Sequence, residues 1–168
     1  MKTPVYLDYN ASTPVDKRVL EKMLPFFSEQ FGNAHSKTHS YGWFAEEAVK
    51  QARNQVAQLI NAEPGEIVFT SGATESINLA IKGVYANYHK KGNHIIAVAS
   101  EHKAILDCLA VINKQGAEIT YLNVNREGLI DLDELKKSFK QSTILVCVML
   151  ANNETGVIQN ISALAEIV

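Results

Sequence analysis

Apolar residues along this chain fall into two alternating patterns. Three continuous runs have the length and β-branching of buried strands, Ile67-Val68-Phe69, Ile95-Ile96-Ala97-Val98-Ala99 and Ile144 to Leu150, and Ile119 to Val124 alternates like a strand. Ile144 to Leu150 is apolar without a break, which predicts a central parallel strand buried on both faces. Between the runs, apolar residues recur at steps of three and four. Ala45, Ala48, Val49, Ala52, Val56, Leu59 and Ile60 predict the clearest helix, stopped by Asn61 and Pro64-Gly65. Ile77, Ala80, Ile81, Val84, Tyr85 and Tyr88 predict another, as do Ile105, Cys108, Leu109 and Ile112, the latter ending at Gly116. Asp131-Leu132-Asp133-Glu134 reads as a capping box before Leu135 and Phe139, and a further helix is expected after Asn160.

The N-terminal stretch differs. Val5-Tyr6-Leu7 is a short strand candidate, followed by a turn-rich segment through Pro14. A helix is expected after Pro14, with Val19, Met23, Phe26 and Phe27 on its apolar face and Pro25 placed to kink or end it. The polar loop Gly32 to Gly42, GNAHSKTHSYG, is long for a compact domain, and such loops are often functional. Strands alternating with helices predict an α/β fold: a three-layer αβα arrangement on a mostly parallel sheet with right-handed crossovers. Residues 1–16 are read as an extended segment and 17–168 as the domain.

Composition narrows the function. A chain of 168 residues can bury a core, and 46% apolar content with net charge −2 is that of a folded protein. The mixed charge argues against direct nucleic-acid binding, no run approaches membrane-span length, and no signal peptide is read over Met1 to Asp8. The two cysteines, Cys108 and Cys147, form no CxxC pair, so the cytoplasm is the expected compartment.

Ligands of open α/β sheets bind beyond the carboxyl ends of the strands. Three polar clusters fall there: Ser71-Gly72-Ala73-Thr74-Glu75, Ser100-Glu101-His102-Lys103, and Ala151-Asn152-Asn153-Glu154-Thr155-Gly156. Ala73 and Thr74 stand at a helix start, where free N–H groups, the helix dipole and the Thr74 hydroxyl suit a phosphate; the plainer reading is a turn with a cap. A lone His102 at a helix start is more often a cap or a solvent residue, and Asn152-Asn153 alone reads as a turn. His35 and His39 are four apart, but no third ligand accompanies them, and no metal site is expected. Glu75 reads as a first-turn helix residue rather than a catalytic acid.

Taken in order, YLDYNASTP, FGNAHSKTHSYGW, EIVFTSGATES, SEHKA and NNETG resemble the N-terminal part of cysteine desulfurases of the NifS/IscS type, in the class V aminotransferase group. The resemblance implies a pyridoxal 5'-phosphate enzyme and the N-terminal, incomplete part of its large domain. It implies that Ala73 and Thr74 hold the cofactor phosphate, that His102 stacks on the ring and takes part in proton transfer, and that Asn153 hydrogen-bonds near the ring oxygen. The implied reaction takes L-cysteine to L-alanine and an enzyme persulfide, feeding iron–sulfur scaffold and sulfur-acceptor proteins and tRNA thiolation. The family pattern is a homodimer. Its Schiff-base Lys and persulfide Cys are expected beyond Val168; Lys103, Cys108 and Cys147 do not match them. Ala34 departs from a position that is commonly Pro. Three expectations follow from these departures: the chain is a truncated piece, it is inactive alone, and it leaves apolar surface that favours self-association. The alternatives are a selenocysteine lyase or aminotransferase of the same group, or a non-catalytic piece serving dimerisation or partner binding.

Overall fold

The computed structural model describes residues 4–168, so the leader reading over Met1 to Thr3 lies outside the described residues. The chain forms two compact units that divide after Phe69.

In the first unit, residues 4–16 contain no helix or strand. The expected strand Val5-Tyr6-Leu7 is therefore not formed: Val5 and Leu7 are exposed and have no strand to pair with. Helix α1 (Lys17–Met23) begins where Asp16 caps the Arg18 N–H, and Pro25 occupies the first turn of the short helix α2 (Pro25–Ser28). The long helix α3 (Ser40–Leu59) matches the apolar stripe, and Asn61 in the left-handed region (φ 54°) turns the chain away after it.

Ile67-Val68-Phe69 is the main departure from the expected fold. The segment follows a 3₁₀ turn (Pro64–Glu66) and joins no sheet. The Ile67 carbonyl accepts a hydrogen bond from the Arg53 guanidinium, which also lies 4.9 Å from the Phe69 ring centroid. Val68 is 66% exposed. A three-residue apolar run carries little strand information, and here a cation takes the carbonyl a ladder would have used.

The second unit, Thr70–Val168, contains the expected α/β layers. Helix α4 (Ala73–Tyr88) leads into β1 (His94–Val98), α5 (Lys103–Asn113), β2 (Glu118–Leu122), α6 (Leu132–Ser138), β3 (Thr143–Cys147) and α7 (Ile161–Ala165). The strands are parallel in the order β2-β1-β3, with Ile95 level with Ile119 on one side and Leu145 on the other. β1 is buried along its whole length, and alternation divides its side chains between two cores. Ile95 and Ala97 pack with Ile81 and Tyr85 of α4 and Cys108, Leu109 and Ile112 of α5. Ile96 and Val98 pack on the opposite face with Leu135 of α6 and Leu164 of α7. The connection from β1 to β2 runs along one face. The return from β2 past β1 to β3 runs along the other, so both crossovers have the same hand.

The central strand is thus β1, whereas the unbroken apolar run Ile144–Leu150 predicts a central strand there. β3 is half-buried throughout, and regular pairing ends at Cys147. Asp131 and Asn160 cap α6 and α7 as their sequence positions predict.

Candidate functional site

α4 ends at Tyr88 and β1 begins at His94, so the helix runs back along the sheet and its start, Ala73 and Thr74, lies at the carboxyl end of β1. α5 also starts at that end. After β1 the chain crosses to the face carrying α5; after β3 it passes to the face carrying α7. β1 and β3 are neighbours whose outgoing connections diverge, which defines a topological switch point and its crevice. His102 follows the first strand and Asn153 the second.

Each residue expected from sequence has a definite environment. Ala73 and Thr74 are the first two residues of α4, with Gly72 as its cap; Gly72 supplies no side chain to bond them. The first intrahelical-type bond on this turn is from Ser76 N–H to the Gly72 carbonyl, leaving the Ala73 and Thr74 N–H groups directed out of the helix. Ser71 is not available to an anion: its N–H and hydroxyl both donate to Glu75 Oε2 at 2.6 Å. These bonds hold the Glu75 carboxyl below its ordinary range, so Glu75 braces the turn as an ion. Thr70 Oγ1, 2.6 Å from Ser76 Oγ, closes the same turn.

His102 caps α5, its Nδ1 accepting the Ala104 N–H at 3.1 Å. That bond fixes the tautomer: Nδ1 is the acceptor, and the neutral ring carries its proton on Nε2. The ring is exposed, so the cap and a face open to a ligand coexist. Asn153 is exposed and directly follows the residue that organises its loop. Asn152 Oδ1 accepts from Glu154 and Thr155 N–H, while its Nδ2 donates to the Ser100 carbonyl at 3.0 Å. That last bond ties the β3 exit to the β1 exit and so brings the His102 and Asn153 turns together. No hydrogen bond links Ala73 or Thr74 to either among the described residues.

Two residues escaped sequence reading. Asn152, read with Asn153 as a turn, makes the cross-strand bond. Glu101, given no role in the sequence, is 6% exposed and accepts the Met149 N–H at 2.6 Å. Nothing in one sequence marks a Glu after a strand as buried.

The remaining candidates have other partners. Lys103 Nζ is held by both oxygens of Asp107, at 2.8 and 2.6 Å. His39 caps α3 through Nδ1, and no group of three potential metal ligands occurs among the described residues. In the Gly32–Gly42 loop, the Trp43 indole donates to the Lys37 carbonyl, and Lys37 pairs with Glu46. Gly42 lies against the Ser36 carbonyl with no room for a Cβ. Burial raises the Cys108 thiol, and burial with the nearby Glu101 pushes Cys147 up to about 12. At pH 8 the Cys147 thiolate fraction is then lower than that of a free cysteine by about a thousandfold. In the folded chain Cys147 should resist alkylation by iodoacetamide and become reactive in denaturant, which mass spectrometry of the alkylated chain can follow.

This arrangement is that of a doubly wound α/β protein, with a helix start at Ala73 and Thr74 and the His102 and Asn153 turns at the exits of two neighbouring strands. The chain belongs to the class-V aminotransferase family, whose pattern matches residues 5–168. It is 60% identical over 167 residues to the cysteine desulfurase IscS of Neisseria gonorrhoeae, across 99% of this chain and 41% of that protein. A NifS-like protein superposes with a TM-score of 0.94 at 41% identity, covering 98% of this chain and 45% of the other. A structure titled SspA in complex with cysteine superposes at 0.91 with 39% identity, covering 96% and 46%. The chain thus spans less than half the length of the relatives it matches.

The donor set fits the cofactor of this family. Two outward N–H groups, a hydroxyl and the positive end of a sixteen-residue helix suit a phosphate ester, and the exposed imidazole beyond β1 suits an aromatic ring.

Proposed function

We propose that this chain supplies the phosphate- and ring-holding part of a pyridoxal phosphate-dependent cysteine desulfurase, which converts L-cysteine to L-alanine and a protein persulfide. The observation that supports the reading is that His102 and Asn153 lie in the turns leaving the neighbouring strands β1 and β3, whose outgoing connections diverge, while α4 opens at Ala73 and Thr74 with no side-chain cap. Cysteine as substrate is supported by the relative's name and by the cysteine in the SspA complex.

Pyridoxal phosphate, when bound, supplies an electron-withdrawing ring that stabilises negative charge on the substrate carbon. The chain's own residues orient it. Ala73 and Thr74 N–H and the Thr74 hydroxyl bind the phosphate. His102, its ring exposed, would pack against the cofactor ring and hold a proton at Nε2, the nitrogen its cap leaves free. Asn153 donates from its amide without adding charge. Lys103, paired with Asp107, takes no part, and the thiols of Cys108, buried, and Cys147, half-buried in β3, do not carry the sulfur. In the cell the sulfur passes to iron–sulfur scaffold and other acceptor proteins in the cytoplasm.

The test is titration of the 168-residue chain with pyridoxal phosphate, followed by calorimetry and competed with inorganic phosphate. Saturable binding that inorganic phosphate displaces is expected; its absence would count against the reading. The same chain given L-cysteine should release no alanine, because neither Lys103 nor the two cysteines can serve the covalent steps. Turnover by the chain would show that one of these residues has been misassigned.

The chain is also proposed to act as a homodimer. Phe27 and Phe44 are 74% and 72% exposed, and Phe26, Phe31 and Trp43 are exposed in the same unit. Apolar surface of this extent marks association sites. Sedimentation velocity should show self-association at micromolar concentration, and a strictly monomeric chain would refute it.

A further inference from the structure

Glu101 stands between the two turns that flank the crevice. Its backbone N–H bonds the Val98 carbonyl, which fixes the turn leaving β1. Its side chain crosses to β3, where Oε1 accepts the Met149 N–H at 2.6 Å, two residues beyond the end of that strand. The other oxygen, Oε2, is buried and has no hydrogen-bond partner. Glu101 lines a small cavity of about 50 Å³ together with Val124, Gly128, Val148, Thr155 and Gln159. That volume admits water, and Asn152 also lines the cavity.

We propose that Glu101 is the positioning residue of the crevice: its carboxyl joins the β1 exit to the β3 exit and so sets His102 and the Asn152-Asn153 loop at a fixed spacing. His102 is the next residue after Glu101, and Met149 lies four residues before Asn153. One side chain therefore ties the two turns together, and Asn152 to Ser100 is a second bond between the same two strand exits. A carboxyl is well suited to the place. It reaches Met149 with one oxygen and keeps the other buried without a partner beside a cavity whose polar lining residues Ser100, Asn152, Thr155 and Gln159 are uncharged. Arg126, Glu127 and Glu154 of the neighbouring loops are exposed, and the Cys147 thiol is the titratable group coupled to Glu101 from β3. Burial raises the Glu101 carboxyl, so a neutral amide is a fair replacement.

The inference rests on the reading of the crevice as a cofactor site for its functional consequence alone. Its test needs no cofactor, so the two can fail separately. Amide hydrogen exchange and two-dimensional NMR of the 168-residue chain would be compared for wild type, Glu101→Gln, Glu101→Asp and Glu101→Ala. In the Ala and Asp variants, the latter one methylene too short, the Met149 amide should exchange faster by about tenfold or more. The His102 and Asn153 resonances should shift with it. Glu101→Gln keeps an oxygen for Met149 and should stay within about twofold of wild type. Amides of Ile95 and Ala97 should keep their protection in all four. Unchanged Met149 exchange and His102 and Asn153 resonances in Glu101→Ala would overturn the proposal. So would a parallel loss at Ile95 and Ala97, which would mean general destabilisation, or a Gln variant that behaves like Ala.

Discussion

Thr74→Ala should bind pyridoxal phosphate about 5–150-fold more weakly than wild type, which is about 1–3 kcal/mol for a lost charge-assisted hydrogen bond. The helix start is otherwise untouched by this change, because the turn is braced by Glu75 on Ser71 and by Thr70 on Ser76. The Thr74 hydroxyl makes none of those bonds. Thr74→Ser keeps the hydroxyl and should stay near wild type, and the loss in Thr74→Ala should extend to inorganic phosphate. Calorimetric titration of the three chains checks this. Equal affinity in wild type and Thr74→Ala would remove the hydroxyl from the cradle and leave the backbone N–H groups as the whole site.

The parts of this arrangement that were legible in the sequence are those set by local chemistry. Asp131 and Asn160 cap helices because a short polar side chain can reach the next free N–H groups. The division of β1 between two cores follows from alternation within a run apolar at every position. What the sequence could not show depends on distant partners. Ile67-Val68-Phe69 has strand-like residues, but Arg53, fourteen positions away from Ile67, takes its carbonyl. Ile144–Leu150 reads as more central than Ile95–Ala99, yet the pairing order places β1 between its neighbours. In the site, Ala73, Thr74, His102 and Asn153 carry local signals: a helix start, an imidazole, an amide. Glu101 and Asn152 act across the sheet, on Met149 and Ser100, and a bond spanning about fifty residues leaves no mark in either local pattern.

The largest stability effect is expected at the other end of the sheet, at His94. This residue is fully buried, and its ring joins all three strands. Nδ1 lies 2.7 Å from Thr143 Oγ1 in β3, and Nε2 lies 2.8 Å from Thr120 Oγ1 in β2. Thr143 Oγ1 already accepts the Lys140 N–H, so its hydroxyl is free to donate to Nδ1 while Nε2–H donates to Thr120. A neutral imidazole satisfies that chain, and a protonated one does not. Burial lowers the His94 pKa first, Lys140 lowers it further, and Glu118 opposes them. A folded pKa below the unfolded value of about 6.5 gives stability that is full above that pH and is lost as pH falls toward the folded pKa. His94→Ala leaves two threonine hydroxyls without their partner and opens a cavity in the sheet, and should cost about 2–4 kcal/mol. Urea unfolding of wild type and His94→Ala from pH 8 to pH 5 separates the two effects. The gap between the chains should be widest near pH 8 and narrow toward pH 5, because the wild type loses this contribution and the variant has none to lose. A gap that stays constant across that range would show that His94 does not titrate with folding, and a gap near zero at pH 8 would show that the threonine bridge does not hold the strands.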